Sequence, residues 1–85
     1  MTNITRLFAE RLASLRLAEI AAAELGRRDP SSDAIQRAVG FRQDCDLLRL
    51  TIARRADGPE ALAWAQSQVD ARLPEVLDQI GSVAA

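Results

Sequence analysis

The sequence contains no histidine, no tyrosine and no lysine, and it has one cysteine and one tryptophan. Without histidine or lysine, imidazole acid–base catalysis, Schiff-base chemistry and a phosphate-binding P-loop lysine are excluded. Carboxylates and one thiol remain as reactive groups, and a chain of 85 residues has little room for the enclosed pocket that they would need. We therefore expect no enzymatic activity.

The single cysteine limits covalent and metal chemistry in the same way. Cys45 has no second cysteine with which to form an intramolecular disulfide, and a zinc site takes about four ligands. We expect no metal, no cofactor and no small-molecule substrate. Charged residues such as Arg6, Glu10 and Arg11 interrupt the N-terminal apolar runs before they reach the length of a signal peptide or membrane span. The sequence thus predicts a cytoplasmic protein that does not bind membranes.

All eleven basic residues are arginine, as expected from a GC-rich, bacterial genome that favours arginine codons. Nucleic-acid binding requires a dense basic stripe, whereas these arginines are interleaved with acidic residues and the pI is near 5.3. We expect no nucleic-acid partner, and a nucleic-acid-binding regulator is a remote alternative.

Two clusters of helix-breaking and capping residues divide the chain into three predicted helices. The first cluster runs from Gly26 to Asp33, and the second is Asp57-Gly58-Pro59-Glu60. The predicted helices run from about Asn3 to Gly26, from about Asp33 to Ala56, and onward from about Pro59. We predict one all-α domain over residues 1–85, a three-helix antiparallel bundle built on a long helical hairpin.

Pro74 interrupts the hydrogen-bond pattern of the predicted third helix. Pro74 has no N–H to donate to the carbonyl of Asp70, and its ring clashes there. Helix 3 is therefore expected either to kink near Arg72 and Leu73 or to restart with Pro74 in its first turn.

Apolar residues spaced three and four apart define the predicted core face of each helix. In helix 1 they are Ile4, Leu7, Phe8, Leu12, Leu15, Ala18, Ala22 and Leu25. In helix 2 they are Ala34, Ala38, Phe41, Cys45, Leu48 and Ile52. The helix 3 positions are Leu62, Gln66, Val69, Leu73, Val76 and Ile80. We predict that the Cys45 thiol is buried and unreactive.

Helices 1 and 2 each carry a second apolar face. On helix 1 it comprises Ala9, Ala13, Leu17, Ile20 and Ala21; on helix 2 it comprises Ile35, Val39, Leu50 and Ala53, with Leu47 beside them. Large exposed apolar patches typically mark interfaces. We predict a protein interface that includes Leu17, Ile20, Val39 and Leu50, the alternative being scattered surface leucines without a role.

Two further residues have alternative interpretations. Trp64 lies off the predicted seam of helix 3, which makes it a candidate contact anchor; alternatively, helix 3 rotates so that Trp64 covers the edge of the hairpin. Gly40 costs about 1 kcal/mol inside a helix relative to alanine. It either permits a neighbouring helix to approach closely beside Leu47 or is simply tolerated.

These features predict a small, oligomeric protein-interaction module, such as an assembly factor, adaptor or regulator. Its partner is a second copy of itself, another protein, or both. The alternative is a structural or co-chaperone component of a larger helical assembly such as a secretion apparatus. The hairpin with a Pro-Ser-Ser-Asp turn is similar in size and layout to secretion-needle subunits and their co-chaperones, and no motif accompanies that likeness.

Overall fold

A computed structural model describes residues 1–84, and these form three α-helices. Helix α1 spans Asn3–Arg28, α2 spans Ala34–Ala53 and α3 spans Gly58–Ala84. The prediction of an all-α three-helix bundle is therefore confirmed. Helix α1 is central: it packs along both other helices, whereas α2 and α3 touch each other over a much shorter length.

Helix α1 begins where the sequence predicts. Thr2 is its N-cap, and the Thr2 hydroxyl oxygen accepts the backbone N–H of Thr5 at 3.2 Å. The helix ends at Arg28, two residues later than predicted, and Asp29 donates its N–H to the carbonyl of Leu25 at 2.8 Å. Arg27 and Arg28 add positive charge to the last turn, where it complements the helix dipole.

The turn between α1 and α2 brings the two helices close together at Gly26. A Cβ placed on Gly26 would lie 2.5 Å from Cγ1 of Ile35 and 3.3 Å from the Ile35 backbone nitrogen. A side chain at position 26 would therefore require the Ile35 side chain to move and the start of α2 to shift by a few tenths of an ångström.

Helix α2 ends at Ala53, three residues before the predicted boundary at Ala56. The chain then turns so tightly that Gly58 packs against the backbone of Ile52, and a Cβ on Gly58 would overlap the Ile52 carbonyl oxygen. Helix α3 begins at Gly58, directly at this close contact, and Pro59 lies in its first turn.

Pro74 does not divide α3, which stays helical on both sides of it. The predicted alternative of a restart at Pro74 is wrong. Pro74 and Asp70 are both exposed. Pro74 leaves the Asp70 carbonyl without a helical donor. That carbonyl thus lies on the solvent side of α3, where water can hydrogen-bond to it.

The core shows that the predicted interior face of helix 1 was wrong in its first turns. Ile4 and Leu7 are 58 % and 63 % exposed, while Ala9 and Ala13 of the second predicted face are buried, as is Thr5 one turn before Ala9. Because α1 lies between two helices, it buries both of its apolar faces. The buried cluster comprises Ala9, Leu12, Ala13, Leu15, Leu17, Cys45, Ile52, Ala61, Ala65 and Val69.

Helix α3 is rotated about its axis relative to the predicted seam. Ala61 and Ala65 are among its most buried residues, together with Val69, whereas Gln66 is exposed. Alanines at the contact allow α3 to lie close to α1. The same rotation turns Trp64 toward α1.

Candidate functional site

An unpartnered apolar surface lies on the side of α2 that points away from α1. We define this outer face by Val39, Gly40, Gln43, Leu47 and Leu50, all of which are exposed. Spacings of three, four and seven residues put them on one side of the helix. The exposed fractions are 66 % for Leu47, 57 % for Leu50 and 49 % for Val39.

The inner side of α2 already supplies its contribution to the core. Ala34, Cys45 and Ile52 are its buried residues, and Phe41 and Leu48 pack partly against the core cluster. A surface helix of a globular protein is normally polar on the side opposite its buried stripe. Helix α2 instead is apolar on both sides, so packing within one chain does not explain the outer face.

Shallow grooves extend the apolar surface along both edges of α2. One groove, about 230 Å³, contains Ile35 and Val39 of α2 and Ala23 of α1. The groove on the opposite edge, about 380 Å³, contains Leu47 beside Leu15 of α1. A helix laid against the outer face would therefore also meet apolar atoms on either side of it.

The two predicted interface residues on α1 lie in or against the core of the subunit. Leu17 is buried in the core cluster, and Ile20 is half-buried against it. The predicted free face of helix 1 is covered by α3, so Leu17 and Ile20 are not part of an exposed apolar face. Val39 and Leu50 are exposed on α2. Their contact with a partner stays a prediction.

Trp64 lies between α1 and α3 rather than on the outer face of α2. Its ring packs partly against the core cluster, and the guanidinium carbon of Arg6 lies 4.9 Å from the ring centroid, within cation–π range. This geometry matches the alternative in which a rotated helix 3 brings Trp64 over the edge of the hairpin. Trp64 is thus half-buried within the subunit, and its contact with a partner stays a prediction.

Gly40 makes no packing contact within the chain. No heavy atom beyond its own helix backbone and chain neighbours, among residues 1–84, lies within 4 Å of the position that its Cβ would take. The alternative in which Gly40 makes room for a neighbouring helix therefore fails inside the subunit. The glycine lies instead on the exposed outer face, two turns before Leu47.

Charged side chains flank the outer face. Arg42 and Asp46 lie on one edge of α2 and Asp44 on the other, and all three are exposed. Within the helix, Oδ1 of Asp46 accepts a hydrogen bond from the Arg49 guanidinium at 3.2 Å. Arg42 forms no ion pair with any residue of the described part of the chain.

A second cluster of functional groups joins the start of α1 to the turn before α3. Asp57 accepts the backbone N–H of Thr2 at 2.7 Å and the hydroxyl of Thr5 at 2.9 Å. The hydrogen bond from the Thr2 N–H lowers the pKa of the Asp57 carboxyl, burial opposes this, and the Thr5 hydroxyl adds to the lowering. The carboxylate is thus held ionised and fully engaged in structural contacts.

Sequence reasoning identified Asp57 as a helix cap but missed Thr2 and Thr5. The available signal was Thr2 itself, two residues before the first apolar-periodic residue, Ile4, because threonine just ahead of such a run is typical of an N-cap. Nothing in the sequence indicates that Thr5 contacts a residue 52 positions away.

Cys45 is fully buried in the core cluster, as predicted. Burial raises the pKa of its thiol, and the negative charge of Glu19 raises it further. A buried thiol with a raised pKa is a poor nucleophile.

Among the described residues, no group of three or more potential metal ligands lies together. None of the three described helices combines the length and apolarity that crossing a membrane requires. No family model, curated protein or solved structure matches this chain.

Proposed function

We propose that the protein is a non-catalytic association module that binds copies of itself through the outer face of α2. The observation that carries the proposal is the exposure of Leu47 and Leu50, at 66 % and 57 %, on a helix whose opposite side is already buried. Exposed clusters of large aliphatic side chains on a small domain typically mark an interaction surface.

Burial of the outer-face side chains roughly offsets the cost of association and leaves little surplus. Full burial of an aliphatic side chain contributes roughly 1.5–3 kcal/mol, and Val39, Leu47 and Leu50 are already about half covered. Two copies together would gain roughly 4–9 kcal/mol from these side chains, which is comparable with the estimated cost of association of about 4–15 kcal/mol. Micromolar affinity corresponds to about −8 kcal/mol, so burial of the apolar atoms in the two edge grooves has to supply most of the net free energy of binding.

The charge distribution supports a protein partner over a nucleic acid. Several arginines are paired with acids on their own helix: Arg6 with Glu10, Arg16 with Glu19, Arg28 with Glu24, and Arg49 with Asp46. Such pairs lower the positive potential that a phosphate backbone would need.

We also propose a cytoplasmic location, where the unpaired thiol of Cys45 stays reduced.

Light scattering on a size-exclusion column tests the proposal. Wild-type protein at high micromolar concentration is expected to elute as an oligomer, and Leu50→Glu is expected to convert it to a folded monomer. Leu77→Glu is the matched control, because Leu77 is also an exposed leucine but lies on α3. A monomeric wild type, or dissociation by Leu77→Glu and not by Leu50→Glu, would overturn the proposal.

A further inference from the structure

We propose that two copies of this chain pair their α2 helices antiparallel, across a two-fold axis that passes close to Gln43 and Asp44. The inference rests on the proposed function and adds the identity of the partner surface, its direction and its register. A two-fold contact of this kind is closed, so it predicts a dimer rather than a filament.

The first argument is the fit between large and small residues on the outer face. Gly40 and Leu47 lie on the same side of α2, and an antiparallel pair with this axis puts Leu47 of each copy over Gly40 of the other. Gly40 is exposed, and no atom of its own subunit fills the position where a Cβ would be. A side chain of the second copy can therefore occupy that space. Glycine here costs about 1 kcal/mol of helix stability, which no contact inside the chain offsets.

The same register pairs the remaining aliphatic residues. Val39 of one copy lies opposite Leu50 of the other, on the same side of the contact, and the two-fold axis repeats this pair. A parallel arrangement would instead stack Leu47 on Leu47 and Gly40 on Gly40. The two Leu47 side chains would crowd one level of the interface, and the two Gly40 residues would leave a gap at another. Close-packed interfaces avoid both.

Charge complementarity provides the second argument. In an antiparallel two-fold pair, the same edges of both helices meet, so Arg42 of one copy lies beside Asp46 of the other. Arg42 has no ion-pair partner within the described residues of its own chain, and Asp46 is exposed with only the Arg49 contact. Opposite charges in this position fix register and direction more than they add affinity.

Cysteine cross-linking tests the geometry. In the proposed pair the two Gln43 residues face each other near the axis, whereas the two Gln36 residues lie about 24 Å apart along the helices, at 1.5 Å per residue. Gln43→Cys is expected to form an intermolecular disulfide under mild oxidation, and Gln36→Cys is not. Wild type is the control, because its only thiol, Cys45, is buried.

Charge reversal supplies an independent readout. Arg42→Glu is expected to raise the dimer dissociation constant about three- to tenfold, because the two-fold axis makes the substitution act on two exposed charge pairs at once. The double variant Arg42→Glu/Asp46→Arg is expected to recover at least half of that loss. Circular dichroism on each variant separates weakened pairing from unfolding.

The outcomes separate this inference from the proposed function. Cross-linking of both Gln36→Cys and Gln43→Cys would show a parallel pair, and cross-linking of neither in a protein that Leu50→Glu dissociates would show another contact geometry. Either result overturns the antiparallel register and leaves the association module standing. A wild-type monomer overturns both.

Discussion

The hydroxyl of Thr5 donates a 2.9 Å hydrogen bond to Oδ1 of Asp57, and Thr5 itself has no exposed surface. Arg55 donates from Nε to the same hydroxyl oxygen at 2.6 Å. Because the Thr5 proton is given to Asp57, the 2.8 Å contact between the two threonine hydroxyls has Thr2 as its donor. This network ties the first turn of α1 to the turn that leads into α3.

Removing the central hydroxyl should destabilise the bundle. Thr5→Val keeps the side-chain shape but leaves Arg55 and Asp57 without a shared partner, which we expect to cost about 1–3 kcal/mol of the free energy of unfolding. Urea denaturation measures the change. Thr51→Val is the control, because the exposed Thr51 hydroxyl contacts only a carbonyl of its own helix; an equal loss in both variants would contradict the role given to the network.

Acid should weaken the same network. Since folding lowers the pKa of Asp57, its contribution to stability is complete above the unfolded-state pKa, about 3.9, and is lost as the pH falls through the lower folded-state value. The difference in stability between wild type and Asp57→Asn is therefore expected to be largest near neutral pH and to shrink below about pH 4. Asp78→Asn, on the exposed side of α3, serves as control. A difference that stays constant from neutral to strongly acidic pH would show that ionisation of Asp57 is irrelevant.

Gly40→Ala should have opposite effects on folding and pairing. Because a Cβ at Gly40 meets no atom of its own chain, alanine is expected to stabilise the Leu50→Glu monomer by about 1 kcal/mol. In the wild-type background the same methyl group is expected to weaken the dimer, because Leu47 of the second copy needs that space. Denaturation and sedimentation measure the two effects. Tighter pairing by Gly40→Ala would contradict the proposed packing.

Thiol labelling checks the environment of Cys45. A thiol reagent is expected to react with native protein only at the rate of global unfolding, because Cys45 is fully buried. Gln43→Cys introduces an exposed thiol nearby and is expected to add one rapidly labelled group in the monomeric background. Rapid labelling of native wild type would place Cys45 at a surface.

Local sequence signals predicted the extent of the helices well, whereas tertiary contacts decided which of their faces are buried. The cluster from Gly26 to Asp33 and the Gly58-Pro59 turn marked helix ends correctly within a few residues. The sequence did not show that α1 lies between two helices, so Leu17 was assigned to a free face that α3 covers. A helical projection shows which residues share a side, but not which side a neighbouring helix occupies.

The candidate site was predictable where a residue's exposure depended on one helix alone. Val39 and Leu50 lie on the far side of α2 from its seam, and both are exposed. The position of Trp64 depended on the rotation of α3, which is set by close packing of Ala61 and Ala65 against α1. Alanines carry a weak periodic signal, so the pattern of leucine and valine alone predicts the wrong rotation of α3.

Sedimentation equilibrium tests self-association through the outer face of α2 most directly. Wild-type protein is expected to shift from the mass of one chain, 9.3 kDa, toward twice that mass as the concentration rises through the micromolar range. The double variant Leu47→Glu/Leu50→Glu is expected to stay at the single-chain mass while its circular dichroism remains helical. A wild-type protein that keeps the single-chain mass at high micromolar concentration, or a double variant that associates as strongly as wild type, would contradict the assignment.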